Sequence, residues 1–481
     1  MTSRRIENFG RNRDLHPTAY YEPQNESEVL DILNRHRMQS IRTIGSLHSW
    51  SEAICGDGVV LSLRNLTSIE ISTTGSGSSA VVGAGVQIKH LLQFLKHHGK
   101  TLPSVGLITE QTIAGAISTG THGSGKHSLS HYVIAVRLAR YDSDSGNAIV
   151  EEIHSGDALL AIRCSLGCLG VILRVQIQVR DLYNVEEHWR EYRTLESVMN
   201  AEQEYPLQQF FLTPWKWTFL AQHRRETSAK RSWFARLYRV YWFALIDIAL
   251  HLLLLLASRI VKSATFVQLL YRYLIPSLVI RRWRVVDDSS DMLVMEHELF
   301  RHIETELFVP RRHLEAALSC VRDVLRVAGG TTENLSSELN RDLQLLNLTG
   351  RTETLRGVYC HHYPICVRRI KNDATLISMA SPETDASDIG DPSSDWYSIS
   401  LVSYEAPSSR MGYIMTMQHL SEIMARLFHA RPHWGKLCLL PPDRQAALYR
   451  RFEEFRMICR QQDPNGVFSN TWTSRLLKGE C

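Results

Sequence analysis

Between Gly106 and Gly125 the chain reads GLITEQTIAGAISTGTHGSG, with five glycines interleaved with Ser118, Thr119, Thr121 and Ser124. Glycine removes the Cβ that keeps a backbone N–H away from a phosphate oxygen, and hydroxyls add donors. Such a loop suits a pyrophosphate. It fits neither G-x-x-x-x-G-K-[ST] nor a G-x-G-x-x-G that follows a strand, which disfavours ATP and nicotinamide chemistry. Glycine content alone favours a plain connector between strands, so the segment gains meaning only from its surroundings.

Those surroundings alternate. ESEVLDILNR (26–35) carries apolar side chains at helical spacing, IRTIG (41–45) and VVLSL (59–63) read as short strands, and IEIS and AVVGAG flank a flexible TTGSGSS. IKHLLQFLKHHGK predicts a helix closed by glycine, and LGVILRVQIQVR (169–180) predicts a long strand. ELFVPRRHLEAALSCVRDVLRVAGG reads strand to helix, SPETDASDIGDPSSD (381–395) as an exposed loop, and DRQAALYRRFEEFRMICRQQ as one helix. An α+β or α/β architecture follows.

Charge narrows the partners. Lys and Arg number 54 against 50 Asp and Glu, a net +4 over 481 residues, so a nucleic-acid partner held through its phosphates is not expected. Nine scattered cysteines without a C-x-x-C pair offer neither a disulfide framework nor a zinc site, so no metal is expected and a reducing compartment fits. The polar, basic MTSRRIENFGRNRDLHP start has no apolar core of a cleaved secretory signal. One stretch stands apart. Residues 240–257, VYWFALIDIALHLLLLLA, approach the length of a bilayer span, with Asp247 and His251 four apart on one helical face. Arg and Lys mixed with Trp233, Tyr238, Tyr241, Trp242, Tyr271 and Tyr273 flank it, as in helices set into a membrane interface. A buried cap helix or a subunit interface is the competing reading.

GSLHSW (45–50) precedes QTIAGAISTGTHG (111–123) at the separation found in FAD-binding domains of the vanillyl-alcohol-oxidase (PCMH) type, and within them in the sugar-1,4-lactone oxidases. SLGCLGVI (165–172), YPICVR (363–368), RPHWGK (431–436) and DPNGVFSN (463–470) continue the resemblance in order, from near residue 20 to the C-terminus. The resemblance implies a two-domain fold: an FAD-binding domain over 13–183, an α+β cap over 184–430 with the apolar insert at 233–284, and a segment 431–481 returning to the flavin. It implies FAD, with covalent attachment through His48, and places Gly45, Ser46, Ser49, Ser118, Thr119, Thr121, His122, Gly123, Gly170, Val171, Ile172 and His433 near it. Leu47 stands where relatives have glycine. The implied reaction oxidises the C2 hydroxyl of an aldono-1,4-lactone of gulono, galactono or arabinono type, passing electrons to O2 or another acceptor. An ascorbate-like product and H2O2 would result, on an intracellular membrane or in the cytoplasm. Relatives carry a Glu-x-Arg pair for substrate; here it reads Cys366-Val367-Arg368. Arg368 and Lys436 are expected to stabilise negative charge on the substrate oxygen. With Cys366 a small packed thiol, a different polyol or alcohol substrate, or a flavoprotein without turnover, stays open.

Overall fold

A computed structural model of the chain describes residues 5–74, 77–295, 299–331, 335–383 and 390–478. The first lobe holds a parallel sheet in which Val59–Ser62 lies between Ala19–Tyr21 and Ile41–Ile44. Beside it is an antiparallel sheet centred on Val171–Asp181, which pairs with Gly77–Gly83 and Val133–Tyr141. The Glu26–Arg35 helix starts where Asn25 accepts the Glu28 N–H, and it buries Val29, Ile32 and Leu33 at i, i+3, i+4 spacing. Ile88–His97 does the same with Ile88, Leu91, Leu92 and Leu95. Phe455, Phe468, Trp472 and Leu476 from the chain's end fill this same core.

The second lobe is an eight-stranded sheet, which makes the protein α+β. Its order runs Val285–Asp288, Asn184–Tyr192, Phe219–Thr227, Gln209–Leu212, Ile365–Ile370, Trp396–Ser403, Ile303–Pro310 and Arg431–Pro432. Period-two alternation sorts the side chains. Leu307, Val309, Ile365, Val367, Ile399 and Leu401 pack with Leu314–Ala328 and Met411–Phe428 on one face. The intervening Glu304, Glu306, Phe308, Ser398, Ser400, Cys366 and Arg368 therefore share the other face, turned toward the first lobe. At the junction the Gly125 N–H donates to Arg369 O at 2.7 Å. Gly125 has φ +74°, and a Cβ there would lie 1.8 Å from the Pro206 carbonyl oxygen, so only glycine lets the lobes meet this closely.

One expectation changes. The helix expected over 443–462 is two, Pro442–Ala447 and Phe452–Gln462. The break turns Tyr449 onto Trp434, with stacked rings 5.2 Å apart, while the Leu448 carbonyl accepts from Arg431. Residues 384–389 of the expected loop lie outside the described residues. The apolar block extends to a 27-residue helix, Ala235–Val261, long and apolar enough to cross a membrane, but only 22% of its most apolar stretch is buried. It doubles back at Lys262 into Ala264–Leu269 and Ile275–Ser277. One face of this hairpin packs inward through Leu250, Leu254, Val267 and Tyr271. Leu237, Val240, Leu252, Ile260, Leu269 and Tyr273 point outward and are exposed, so it is not a buried core helix.

Candidate active site

A groove of about 120 Å³ runs across the first lobe to the edge of the cap. Gly45, Ser46, His48, Ser49, Ser118, Thr119, Gly170, Ile172, His433 and Lys436, all expected near a cofactor or substrate, line it. Val171 is buried in the strand behind them. The other three residues expected near the cofactor lie off the groove, as do Arg368 and Cys366. Thr121 is buried and donates to Gln111 Oε1 at 3.1 Å, His122 turns toward the cap, and Gly123 lines a small cavity shared with Arg368. The glycine-rich segment thus builds two things, a groove wall up to Thr119 and a lobe junction from His122 to Gly125.

The groove is made of backbone. A Cβ on Gly85 would stand 2.0 Å from Leu63 O, and one on Gly45 2.2 Å from Thr112 Oγ1, so both turns are already as close as glycine permits. The hydroxyls once expected to meet phosphate brace the walls: Ser46 donates to Glu110 O, Ser49 to Gly435 O and Thr119 to Gly115 O. Arg42 is buried beneath and donates to Phe468 O at 2.7 Å and Leu166 O at 2.9 Å, which ties the chain's end to the groove. Leu47 takes φ +59°, so the turn keeps a left-handed backbone without glycine. That costs about 1–2 kcal/mol, offset by packing against Leu15, Ile44 and Val60. The His48 ring, stacked on Phe9 at 4.8 Å, faces the groove, its Nδ1 3.1 Å from Ser46 O.

Cap residues close the far end. Lys436 pairs with Glu304 and lies 4.4 Å over the Trp50 ring. His122 Nε2 lies 3.2 Å from Glu306 Oε1, and both side chains are 2% exposed. His433 accepts the Gly435 N–H through Nδ1, and burial pushes its pKa down to about 3, so it is neutral. Burial pushes the Cys366 thiol up to about 11, so it stays protonated at neutral pH; its Sγ lies 3.9 Å from Gln209 Oε1. Arg368 Nε donates to the same Gln209 oxygen at 2.8 Å. Sequence reading missed Gln209, Glu304 and Glu306. The alternation in IETELFVP marks Glu304 and Glu306 as sharing one face, but not what that face meets.

Beyond Gln209 a second cavity, of about 240 Å³, opens between the cap sheet and the apolar hairpin. Trp189, Phe211, Leu220, Trp242, Phe243 and Ile246 form its apolar walls. Its polar groups largely satisfy one another: Arg224 donates to Glu187 at 2.7 Å, and Tyr238 donates to the same carboxylate. Asp247 and His251 both turn to this cavity, and His251 Nε2 meets Tyr404 OH at 2.8 Å. The hairpin thus turns Asp247 and His251 inward among apolar side chains and leaves an apolar face outside.

A narrow groove of backbone and small side chains that a Cβ would fill, ending among buried charges, fits a dinucleotide with its reactive ring at the charged end. Residues 17–144 match the FAD-binding domain family. The whole chain superposes on a solvent-stable cholesterol oxidase with TM-score 0.72 at 14% identity, covering 99% of this chain and 97% of that one. The protein is an FAD-dependent oxidoreductase acting on CH–OH groups. Residues 175–476 match the D-arabinono-1,4-lactone oxidase family, and the chain belongs to it. It is 51% identical over 473 residues to a long-chain alcohol oxidase from an uncultured marine euryarchaeote, covering 98% of this chain and 97% of that one. It is 23% identical to the L-gulonolactone oxidase of Mus musculus, over 98% of each chain.

Proposed function

We propose that the protein oxidises the hydroxyl-bearing carbon of a long, apolar alcohol to a carbonyl, with O2 as final electron acceptor and H2O2 as its product. The cavity under the hairpin carries this reading. Its aromatic and aliphatic walls reach Gln209, which holds Arg368, so an alkyl body lodged there presents its oxygen to the guanidinium. A sugar lactone would need several unspent hydrogen-bonding groups, whereas Glu187, Arg224 and Tyr238 are committed to one another. The 51% identical long-chain alcohol oxidase points the same way. Bound FAD would supply a two-electron acceptor for the hydride leaving carbon. The chain's own part is to seat the alkyl body, exclude water, and hold the substrate oxygen beside Arg368, with Lys436 fixed by Glu304.

Anaerobic mixing with 1-dodecanol, L-gulono-1,4-lactone or xylitol tests this. Dodecanol should bleach the flavin at least 100-fold faster than the lactone; faster bleaching by the lactone overturns the reading in favour of the sugar-lactone chemistry of the family.

We further propose that His48 binds FAD covalently and that the hairpin's outer face rests in a membrane surface. Acid precipitation should leave the yellow colour with the protein, and His48→Ala should release it. Replacing exposed Leu252 and Ile260 with Asp should lower co-sedimentation with phosphatidylcholine/phosphatidylserine vesicles at least tenfold. Unchanged sedimentation would refer the apolar face to a second copy of the chain.

A further inference from the structure

An alcohol carbon that gives up a hydride must also lose the proton of its hydroxyl, and the protonated thiol of Cys366 is no acceptor for it. The sheet register brings another candidate to the place. Cys366 stands opposite Ser400, and Ser400 opposite Glu306, so the three occupy one row of the face turned toward the first lobe. Arg368, Ser398 and Phe308 form the adjacent row. With neighbouring strands about 4.8 Å apart, Glu306 and Cys366 are about 10 Å apart along their row, and only the short Ser400 side chain lies between.

Two buried oxygens on this face lack donors. Glu306 Oε1 accepts no hydrogen bond despite the nearby His122, and Ser398 Oγ has no partner. Leaving a buried polar group unsatisfied costs about 1–3 kcal/mol, so unmatched acceptors on the face that carries Arg368 mark where a ligand hydroxyl would complete the set. Glu304, two residues earlier on the same face, is already engaged by Lys436. Burial acts to raise the Glu306 pKa, but its close contact with His122 and the nearby Lys436 ammonium hold it well below the usual carboxylate range, so it is ionised.

Glu306 with His122 and His433 also forms a group whose ligand-type atoms lie within 4.8 Å of one another, the geometry of a cation site. The charge balance argues otherwise. Glu304 is already paired with Lys436, Arg368 sits on the same sheet face, and a divalent ion would add two more positive charges to a buried site.

We propose that Glu306 accepts the substrate's hydroxyl proton, taking over from the neighbouring row position the work of the carboxylate absent at 366. The substrate O–H bond breaks, its proton passes to a Glu306 oxygen, and the electron pair remains on the substrate oxygen beside Arg368. His122 positions the carboxylate. This assignment rests on the oxidation of a CH–OH group, not on which alcohol the cavity admits.

The test uses holoenzyme and whichever alcohol or lactone reduces the wild-type flavin fastest. Glu306→Gln should keep FAD but slow anaerobic flavin reduction at least 100-fold, and adding Cys366→Glu to it should recover at least tenfold. Reduction within threefold of wild type, or no recovery in the double variant, overturns the proposal. A second measurement needs no turnover. Two carboxylates in one buried row of the sheet cannot both ionise cheaply, so Cys366→Glu alone should lower the melting temperature more at pH 8 than at pH 5. In the Glu306→Gln background that pH-dependent difference should vanish. The same melting shift at both pH values would place the two positions in separate environments and overturn the proposal, even if Glu306→Gln alone failed to fold.

Discussion

The groove and the cavity, which the proposed function joins into one catalytic centre, are built from opposite materials. Groove walls are backbone at closest approach, with Gly45 and Gly85 leaving no room for a methyl group and the hydroxyls of Ser46, Ser49 and Thr119 spent on carbonyls. Cavity walls are the ends of large side chains, Trp189, Phe211, Trp242 and Ile246, half of them supplied by an insert whose other face is exposed. Backbone cannot be exchanged by mutation, whereas side chains can. The difference teaches how one scaffold keeps its cofactor fixed while the body of its substrate varies, from a sugar ring to an alkyl chain.

The largest effect should come from breaking the rigid side. Gly85→Val drives a Cβ against the Leu63 carbonyl, which has no rotamer to escape into. FAD affinity should fall more than 100-fold, measured by flavin retained through gel filtration. Retention at the wild-type level would mean that the groove is as adaptable as the cavity.

A smaller and more selective effect should follow on the soft side. Leu220→Trp projects an indole into the cavity opposite Phe211. The kcat/KM ratio for dodecanol over butanol should drop roughly 10- to 100-fold, as one expects from losing several buried methylenes at about 0.8 kcal/mol each. An unchanged ratio would remove the cavity from substrate selection.

A third effect separates the lobes by pH. Burial pushes His361 down to about 3 and His362 down to about 4, and both lie in the cap. A histidine whose folded pKa is depressed stabilises the fold above its unfolded pKa near 6.5, and that stability is lost as pH falls toward the folded value. At pH 5 the loss should be on the order of 2 kcal/mol for each. Amide exchange in the Ile365–Ile370 and Trp396–Ser403 strands should therefore accelerate between pH 7 and pH 5 more than in Val171–Asp181. Equal acceleration would show that the lobes open together.

Much of the groove was legible because its residues are contiguous. Gly45 to Ser49 and Ser118 to Thr119 are local turns whose chemistry is written in adjacent letters. The Glu26–Arg35 helix was equally plain, since an Asn cap and an i, i+3, i+4 stripe are local signals. The charged end was not. Glu306 meets Cys366 only through the intervening Trp396–Ser403 strand, and a register joining residues 60 positions apart in sequence leaves no local trace. The tight packing of Gly125 against Pro206 was hidden for the same reason, so nothing local showed that the segment expected beside the cofactor also forms the lobe junction.

The hairpin, with Asp247 and His251 turned inward and an apolar face outside, carries a kinetic consequence. If that outer face lies in lipid, the cavity draws its substrate from a two-dimensional phase. The turnover rate would then follow the mole fraction of alcohol within the vesicle surface. Adding inert lipid at constant total alcohol would slow the enzyme by dilution alone, although neither protein nor substrate had become scarcer in the tube.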